Sequence, residues 1–425
     1  MLHLRLDRPS YRPGDVVTAT LQIATDALPG TAIHVDALTV QAFGSERVDP
    51  SWVSPAYHAG TVVVEQDSRR ITRDIFRTQP KHVLAHCQLA GLARRSFMLR
   101  LKLPDALPPT FRGGAARFSY ALEARLQYSV EPEVINNTGA NVSRQGSAGR
   151  LGFLRYSSSV DSHGAGTTAV QQRVQKECLA KLPVLVWPFK GTSESIDRRA
   201  VAAPSSPVQD EAPVLHYQMG CSGSDLLLSC EEVLDLPAAP PRDGDLLAAP
   251  SPSYAGDNSL SRSFALRIGA SPLVRLGVHE PLDGPLRLGS TLAGTLDFRA
   301  SHEAAILHQQ SPKCAQVIIL LETEECVCSP WQVARRAHAA PGLVRKVYDE
   351  HQELTMDTLL SHFIFSIPYD APASFSTELL NLRWLLRFEF TAIPSSAPGG
   401  WQQLSRPVQK PEQITWVLPL VVQPP

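Results

Sequence analysis

A chain of 425 residues with 43% apolar composition is long enough for two or three domains with cores of ordinary size. Lys plus Arg number 40 against 41 for Asp plus Glu, a net charge of -1, so no large single-sign field exists to draw nucleic acid or an anionic membrane, and no nucleic-acid partner is expected. The opening MLHLRLDRPS sets Arg5, Asp7 and Arg8 where a secretory leader needs an unbroken apolar stretch, and no run approaches the ~20 apolar residues of a membrane span; with seven scattered cysteines, an odd number, this implies a cytosolic chain with reduced thiols and no transmembrane segment.

The first predicted strand is PGDVVTATLQI (13–23), with Val17, Leu21 and Ile23 on one face. KHVLAHCQLA (81–90) alternates Val83, Ala85, Cys87 and Leu89 as a strand does. That reading places His82 and His86 about 13 Å apart, too far to share one ion, so they are read as surface or interstrand histidines. The stretch LPPTFRGGAARFSYALEARL (107–126) combines Pro108, Pro109, Phe111, Arg112 and a turn at Gly113 and Gly114 with a strand. Phe118, Tyr120, Leu122, Ala124, Leu126 and Tyr128 share one side of it, and Arg117, Ser119, Glu123, Arg125 and Gln127 the other. Residues 131 to 178 have loop composition and read as an insertion. Their sequons at Asn136 and Asn141 matter only in a secretory lumen.

After a short apolar strand LPVLV (182–186), residues 191 to 261 are rich in Pro, Ser, Ala and Asp and read as a mostly disordered linker. Inside it, SDLLLSCEEVLDL (224–236) is an apolar island with Ser229 and Glu232 spaced as a helix capping box. A segment that folds on docking to a partner, a transient helix and a strand of a neighbouring sandwich all fit it.

The second half begins with LGSTLAGTLDF (288–298). In LLETEECV (320–327), Glu322 and Glu324 fall on one face of a strand and Leu321, Thr323 and Glu325 on the other, either a solvated sheet face or a recognition surface for a basic partner. CVC (326–328) with Cys314 upstream lacks a companion C-x-x-C or His at finger spacing and reads as partly buried thiols. SFSTELLNLRWLLRFEF (374–390) places Leu382, Trp384, Leu386, Phe388 and Phe390 on one face, with Glu389 opposite, and LPLVV (418–422) follows.

These segments repeat. Shifted by 264, Pro104, Phe111, Tyr120, Leu122 and Leu126 fall on Pro368, Phe375, Trp384, Leu386 and Phe390. Shifted by 275, PGDVVTATLQI falls on LGSTLAGTLDF, and shifted by 236, LPVLV falls on LPLVV. Three collinear echoes imply a duplicated domain, the offsets shrinking because the first copy has extra loop residues. Short alternating strands between Pro and Gly clusters then predict an all-β chain of two tandem antiparallel sandwiches, 1–190 and 262–425, with Tyr120 and Trp384 in equivalent core positions.

No phosphate-cradling Gly-rich loop, G-x-S-x-G elbow or H-E-x-x-H pair is present, so no catalytic residue, cofactor or metal is assigned. The tandem sandwiches with PGD and LGS turns look arrestin-like. LPPTFRGGAARFSYAL, LETEECV, HQE (351–353), FSIP (365–368), FST (375–377) and LRWLLRFEF (382–390) together resemble the retrograde Golgi transport homologues, the reduced-growth-phenotype family. The resemblance implies the arrestin-like, non-catalytic subunit of a two-subunit guanine nucleotide exchange factor. Its partners would be a large β-propeller subunit and a Golgi Rab GTPase, with peripheral attachment to the Golgi and a role in endosome-to-Golgi traffic. The motif residues Pro108, Pro109, Phe111, Arg112, Gly113, Tyr120, Trp384, Phe388, Glu389 and Phe390 are read as mainly structural, and Glu322, Glu324 and Glu325 as the candidate partner surface. An arrestin-type adaptor and a retromer-like coat subunit are the alternatives. The first would want a PPxY-like motif, which neither PPTF nor PPRD supplies.

Overall fold

The computed structural model describes residues 1–25, 33–58, 65–66, 70–89, 94–130, 174–188, 228–233, 261–279, 285–308, 312–333, 343–393 and 410–425. Its first strands are β1 (Leu2–Leu6), β2 (Val16–Ala24), β3 (Ile33–Val48), β4 (Glu65–Gln66), β5 (Ile71–Arg77), β6 (Lys81–Leu89), β7 (Arg94–Lys102), β8 (Phe111–Arg112), β9 (Ala116–Val130), β10 (Val174–Val184) and β11 (Leu228–Val233). Then come β12 (Ser261–Ile268), β13 (Ser271–His279), β14 (Thr291–Asp297), helix α1 (Arg299–His308), β15 (Lys313–Val327), β16 (Leu343–Leu354), β17 (Leu360–Ser366), β18 (Phe375–Ser376), β19 (Leu380–Ile393) and β20 (Glu412–Leu420).

Among the described residues these strands make two sandwiches. In the first, the sheet β1-β2-β7-β11 packs on the sheet β10-β9-β3-β5-β4, which also holds β6 against β3 and β8 against β9. In the second, β12-β13-β14-β17 packs on β16-β15-β19-β18, with β20 against β19. Alternation decides which side chains fill each core. Leu21 and Ile23 meet Val35, Leu38, Phe118 and Tyr120 in the first, and Leu292, Phe363 and Phe365 meet Val317, Ile319, Trp384 and Phe388 in the second. Phe388 and Phe390 are both buried and their rings stack, while Glu389 between them is exposed, as the alternation predicts.

The duplication is visible at single hydrogen bonds. Tyr120 Oη donates to the carbonyl of Pro108 at 2.5 Å, and Trp384 Nε1 donates to that of Pro372 at 2.9 Å. Each aromatic thus fills its core and finds one backbone acceptor for its polar tip. Gly14 (φ 83°) and Gly289 (φ 82°) occupy the left-handed region at the equivalent turn, where a side chain would be strained. In those turns Arg12 N–H donates to Asp15 Oδ2 and Arg287 N–H to Ser290 Oγ. Leu103 N–H reaches Asp15 O at 2.8 Å, and Ile367 N–H reaches Ser290 O at 2.9 Å.

Two local readings change. Ser229 and Glu232 do not cap a helix: their segment is β11, the strand reading of the apolar island, which extends the first sandwich at β7 with Glu232 gripping Arg95 through two 2.6 Å bonds. Strand β10 starts at Val174, inside the expected 131–178 insertion, and β12 starts at Ser261, the last residue of the expected linker; the other residues of both segments, Asn136 and Asn141 among them, lie outside the described residues. Helix α1 has no counterpart in the strand pattern. It follows Asp297, whose carboxylate accepts the Arg299 N–H at 3.0 Å and its guanidinium at 2.6 Å.

Candidate functional site at the seam between the sandwiches

The sandwiches meet where equivalent residues touch each other. Val53 and Gln332 form an antiparallel bridge, flanked by Ser54 N–H to Trp331 O at 2.7 Å and Val333 N–H to Trp52 O at 3.3 Å. Phe111 and Phe375 meet edge to face at 5.1 Å. Each copy repeats the approach: Asp49 N–H donates to Ala115 O and Cys328 N–H to Leu379 O, both at 2.8 Å. Residues that contact their own counterparts place a pseudo-two-fold axis through the seam, the geometry of an isologous dimer interface within one chain. The contact is apolar as well. Val327, Phe375, Leu379, Leu380 and Leu382 belong to the same buried cluster as the first sandwich's core, and Trp187 packs on the second core.

Across this seam Glu325, at the end of β15, reaches the FRGGAA loop. Its carboxylate accepts the N–H groups of Gly114 at 2.7 Å, Ala115 at 2.8 Å and Ala116 at 3.1 Å. A Cβ at Gly113 would stand 2.5 Å and 2.6 Å from the two carboxylate oxygens and 2.3 Å from the Phe111 ring, so the glycine is required by close approach. Burial pushes the Glu325 carboxyl up, against the pull of the three N–H donors and Arg70.

The equivalent position in the first copy is Glu46. It lies opposite Phe118 on β9 as Glu325 lies opposite Leu382 on β19. Glu46 is fully buried, accepts the Tyr57 hydroxyl at 3.1 Å and pairs with Arg73. The Arg73 guanidinium lies 4.0 Å over the Tyr57 ring, and that ring meets Trp331 edge to face at 5.1 Å. The chain Glu46, Arg73, Tyr57, Trp331 therefore ties the β3-β5 sheet of the first sandwich to the second sandwich.

The expected acidic partner surface is not a surface. Glu322, Glu324 and Glu325 are 2%, 3% and 4% exposed. Glu322 accepts Arg387 Nε at 2.7 Å, and Glu324 accepts Arg345 Nε at 2.8 Å, Arg383 Nε at 2.9 Å and Arg387 Nη2 at 3.3 Å. Their carboxylates are consumed inside the chain, because buried charge is tolerated only when paired. Burial pushes the Glu324 carboxyl up, but the bonds from Arg345 and Arg383 outweigh it and hold it below its ordinary value of 4.5.

Pro108, Pro109, Phe111 and Tyr120 are buried around the loop, whereas Arg112 is exposed. His82 and His86 lie exposed on β6, four residues apart along a strand. Cys314 and Cys326 sit near opposite ends of β15, roughly 40 Å apart at strand rise, so CVC and Cys314 form no cluster. Burial raises the thiol pKa of Cys314, Cys326 and Cys328. Among the described residues no group of three His, Cys, Asp or Glu is placed to hold a metal, and no helix is long and apolar enough to cross a membrane. Sequence reasoning passed over Glu46 and Arg73. The signal was there: an acid at position 46 continues the core phase of Leu38, Val40 and Ala42 and so needs a buried partner.

Two comparisons with known proteins give matches. Residues 286–393, from the LGS turn through β19, match the Rgp1 family model. The RAB6A-GEF complex partner protein 2 of Bos taurus is 34% identical over 145 residues, and that of Homo sapiens 33% over the same length. Each match covers 34% of this chain and 34% of the relative.

Proposed function

From an Rgp1-family region at residues 286–393, we propose that this chain is the non-catalytic subunit of a two-subunit guanine nucleotide exchange factor for a Golgi Rab GTPase. The carrying observation is the alignment of 145 residues to proteins named as partners in a RAB6A exchange-factor complex. The arrestin-like sandwiches serve as a rigid binding frame. A large β-propeller subunit is the co-subunit, and the complex attaches peripherally to the Golgi in endosome-to-Golgi retrograde transport.

Exchange needs no covalent chemistry from the factor. It needs a surface that binds the nucleotide-free GTPase better than the loaded one and so shifts the equilibrium by differential affinity. Two sandwiches locked at a seam by a peptide bridge, an aromatic pair and the Glu325 cap present loops and edges in fixed register to other chains. Obligate interfaces of this kind commonly bury ~2,000 Å² or more. The test is nucleotide release from the Rab GTPase, which is expected to be slow with this chain alone, slow with the propeller subunit alone and fast with both. Fast release by this chain alone overturns the co-subunit reading.

A further inference from the structure

Beside the Glu325 cap, the outer face of the first sandwich holds arginines that, among the described residues, form no ion pair. Arg112 on β8 stands directly opposite Arg117 on β9, and Arg117 directly opposite Arg47 on β3. Residues opposed across an antiparallel ladder share a face, and neighbouring strands lie about 4.8 Å apart, so three guanidinium side chains leave the sheet in a row about 10 Å long. A fourth, Arg70, enters from the segment before β5. Its Nη2 donates to Gly114 O at 3.2 Å, and its Nη1 is buried with no hydrogen-bond partner among the described residues. Arg117 Nε makes a long 3.4 Å bond to Gly113 O.

Among the described residues none of the four forms an ion pair. The near carboxylate, Glu325, spends both oxygens on the N–H groups of 114 to 116. Like charges directly opposed across strands are unfavourable. Arg117 registers this: burial lowers its pKa, and Arg70, Arg112 and Arg47 lower it further, with Glu325 opposing. Elsewhere on the chain arginines in such positions are neutralised, as Arg345, Arg383 and Arg387 are by Glu322 and Glu324. The overall charge is -1, so the cluster is a local arrangement and not a consequence of a basic chain.

We propose that Arg47, Arg70, Arg112 and Arg117 form a binding site for phosphate groups. The guanidinium fork matches phosphate oxygens two at a time, and a doubly charged group answers several adjacent cations better than single carboxylates spaced about 6.8 Å apart along one face of an extended peptide. Arg47 and Arg112 are exposed and open to a ligand, while the partnerless Nη1 of Arg70 supplies a buried donor at the base. The row's length suits a group bearing more than one phosphate, either a soluble polyphosphate or a phosphorylated lipid headgroup.

The experiment uses the full chain with two probes, inositol 1,4,5-trisphosphate in solution and vesicles of phosphatidylcholine with 5% phosphatidylinositol 4-phosphate. Wild type is compared with Arg47→Ala/Arg112→Ala, whose exposed positions leave the fold intact by thermal melting, and with Arg125→Ala, an arginine of the same face already paired to Glu123 and Glu177. The double variant is expected to lose at least tenfold in affinity and the control less than twofold. Arg47→Lys/Arg112→Lys, which keeps charge but loses the fork, is expected to fall between. Binding of the soluble probe without binding of the vesicles assigns a free phosphate ligand, and binding of the vesicles assigns a headgroup. The proposal is overturned if neither probe binds, if the control loses as much as the double variant, or if an acidic peptide such as hexaglutamate binds where both phosphate probes fail.

Discussion

The two sandwiches keep the same backbone devices and differ in what they do with their edges and buried acids. In the first, β7 is covered by β11, a strand from the segment between the halves. In the second, the corresponding strand β17 pairs, among the described residues, only with β14. That open edge shows Leu360 and Ile364, with Leu354, Met356 and Leu359 nearby, all exposed. Glu46 stays within the first sandwich and pairs with Arg73, whereas Glu325 crosses the seam to hold the other sandwich's loop. A duplicated frame therefore tolerates different side-chain roles at equivalent positions, provided that each buried acid finds donors.

The largest expected effect breaks the shared device. Trp384→Ala and Tyr120→Ala should each cost about 3–5 kcal/mol by cavity formation, with the fully buried Trp384 at the upper end, measured by urea denaturation. Equal small losses would mean that the two aromatics are not core equivalents. Next, Glu46→Ala removes the carboxylate paired with the buried Arg73 and should cost about 3–5 kcal/mol in a single transition. Glu325→Ala leaves buried N–H groups without an acceptor, at about 1–3 kcal/mol, and should broaden or split the unfolding curve because it loosens the seam. A single sharp transition for Glu325→Ala would show that the apolar contacts alone couple the halves.

Two smaller comparisons sharpen the account. Gly14→Ala and Gly289→Ala both force a side chain into the left-handed region, at about 1–2 kcal/mol. The second should cost more, since its Cβ would meet the Tyr369 ring at 2.3 Å against 2.9 Å to Asp105 at Gly14. Protonation should separate neighbouring acids. Glu324 is held below 4.5 when folded, so its contribution is present above that value and is lost as pH falls through the folded value. Glu325 is raised, so the folded state holds its proton longer and its contribution declines as pH rises from about 4.5 through the folded value. Stability-pH profiles of Glu324→Gln and Glu325→Gln should diverge from wild type in opposite directions. Smallest of all, Ile364→Lys on the open edge should change stability by no more than about 0.5 kcal/mol, read by thermal melting.

Much of the frame was legible because it is written locally. Phe118 to Tyr128 and Leu382 to Phe390 declare a period of two, and the PGD and LGS turns need their glycines whatever surrounds them. The seam was not legible. Glu325 finds Gly114 at a separation of 211 residues, and no local pattern tells a carboxylate facing water from one facing a distant loop. The same holds for Glu322 and Glu324, whose partners lie on neighbouring strands 21 to 65 positions away. Strand β11 was hard to fix because LSCEEV has the spacing of a helix cap, and only the free edge of β7 decides between the two.

The functional account is tested most directly by isolating the full chain from native cytosol and identifying what remains bound at one-to-one stoichiometry through a sizing column. A single large β-propeller protein, in a complex that then accelerates nucleotide release from a Rab GTPase, is the expected result. A ubiquitin ligase or retromer components in that place, with no exchange activity, would contradict it.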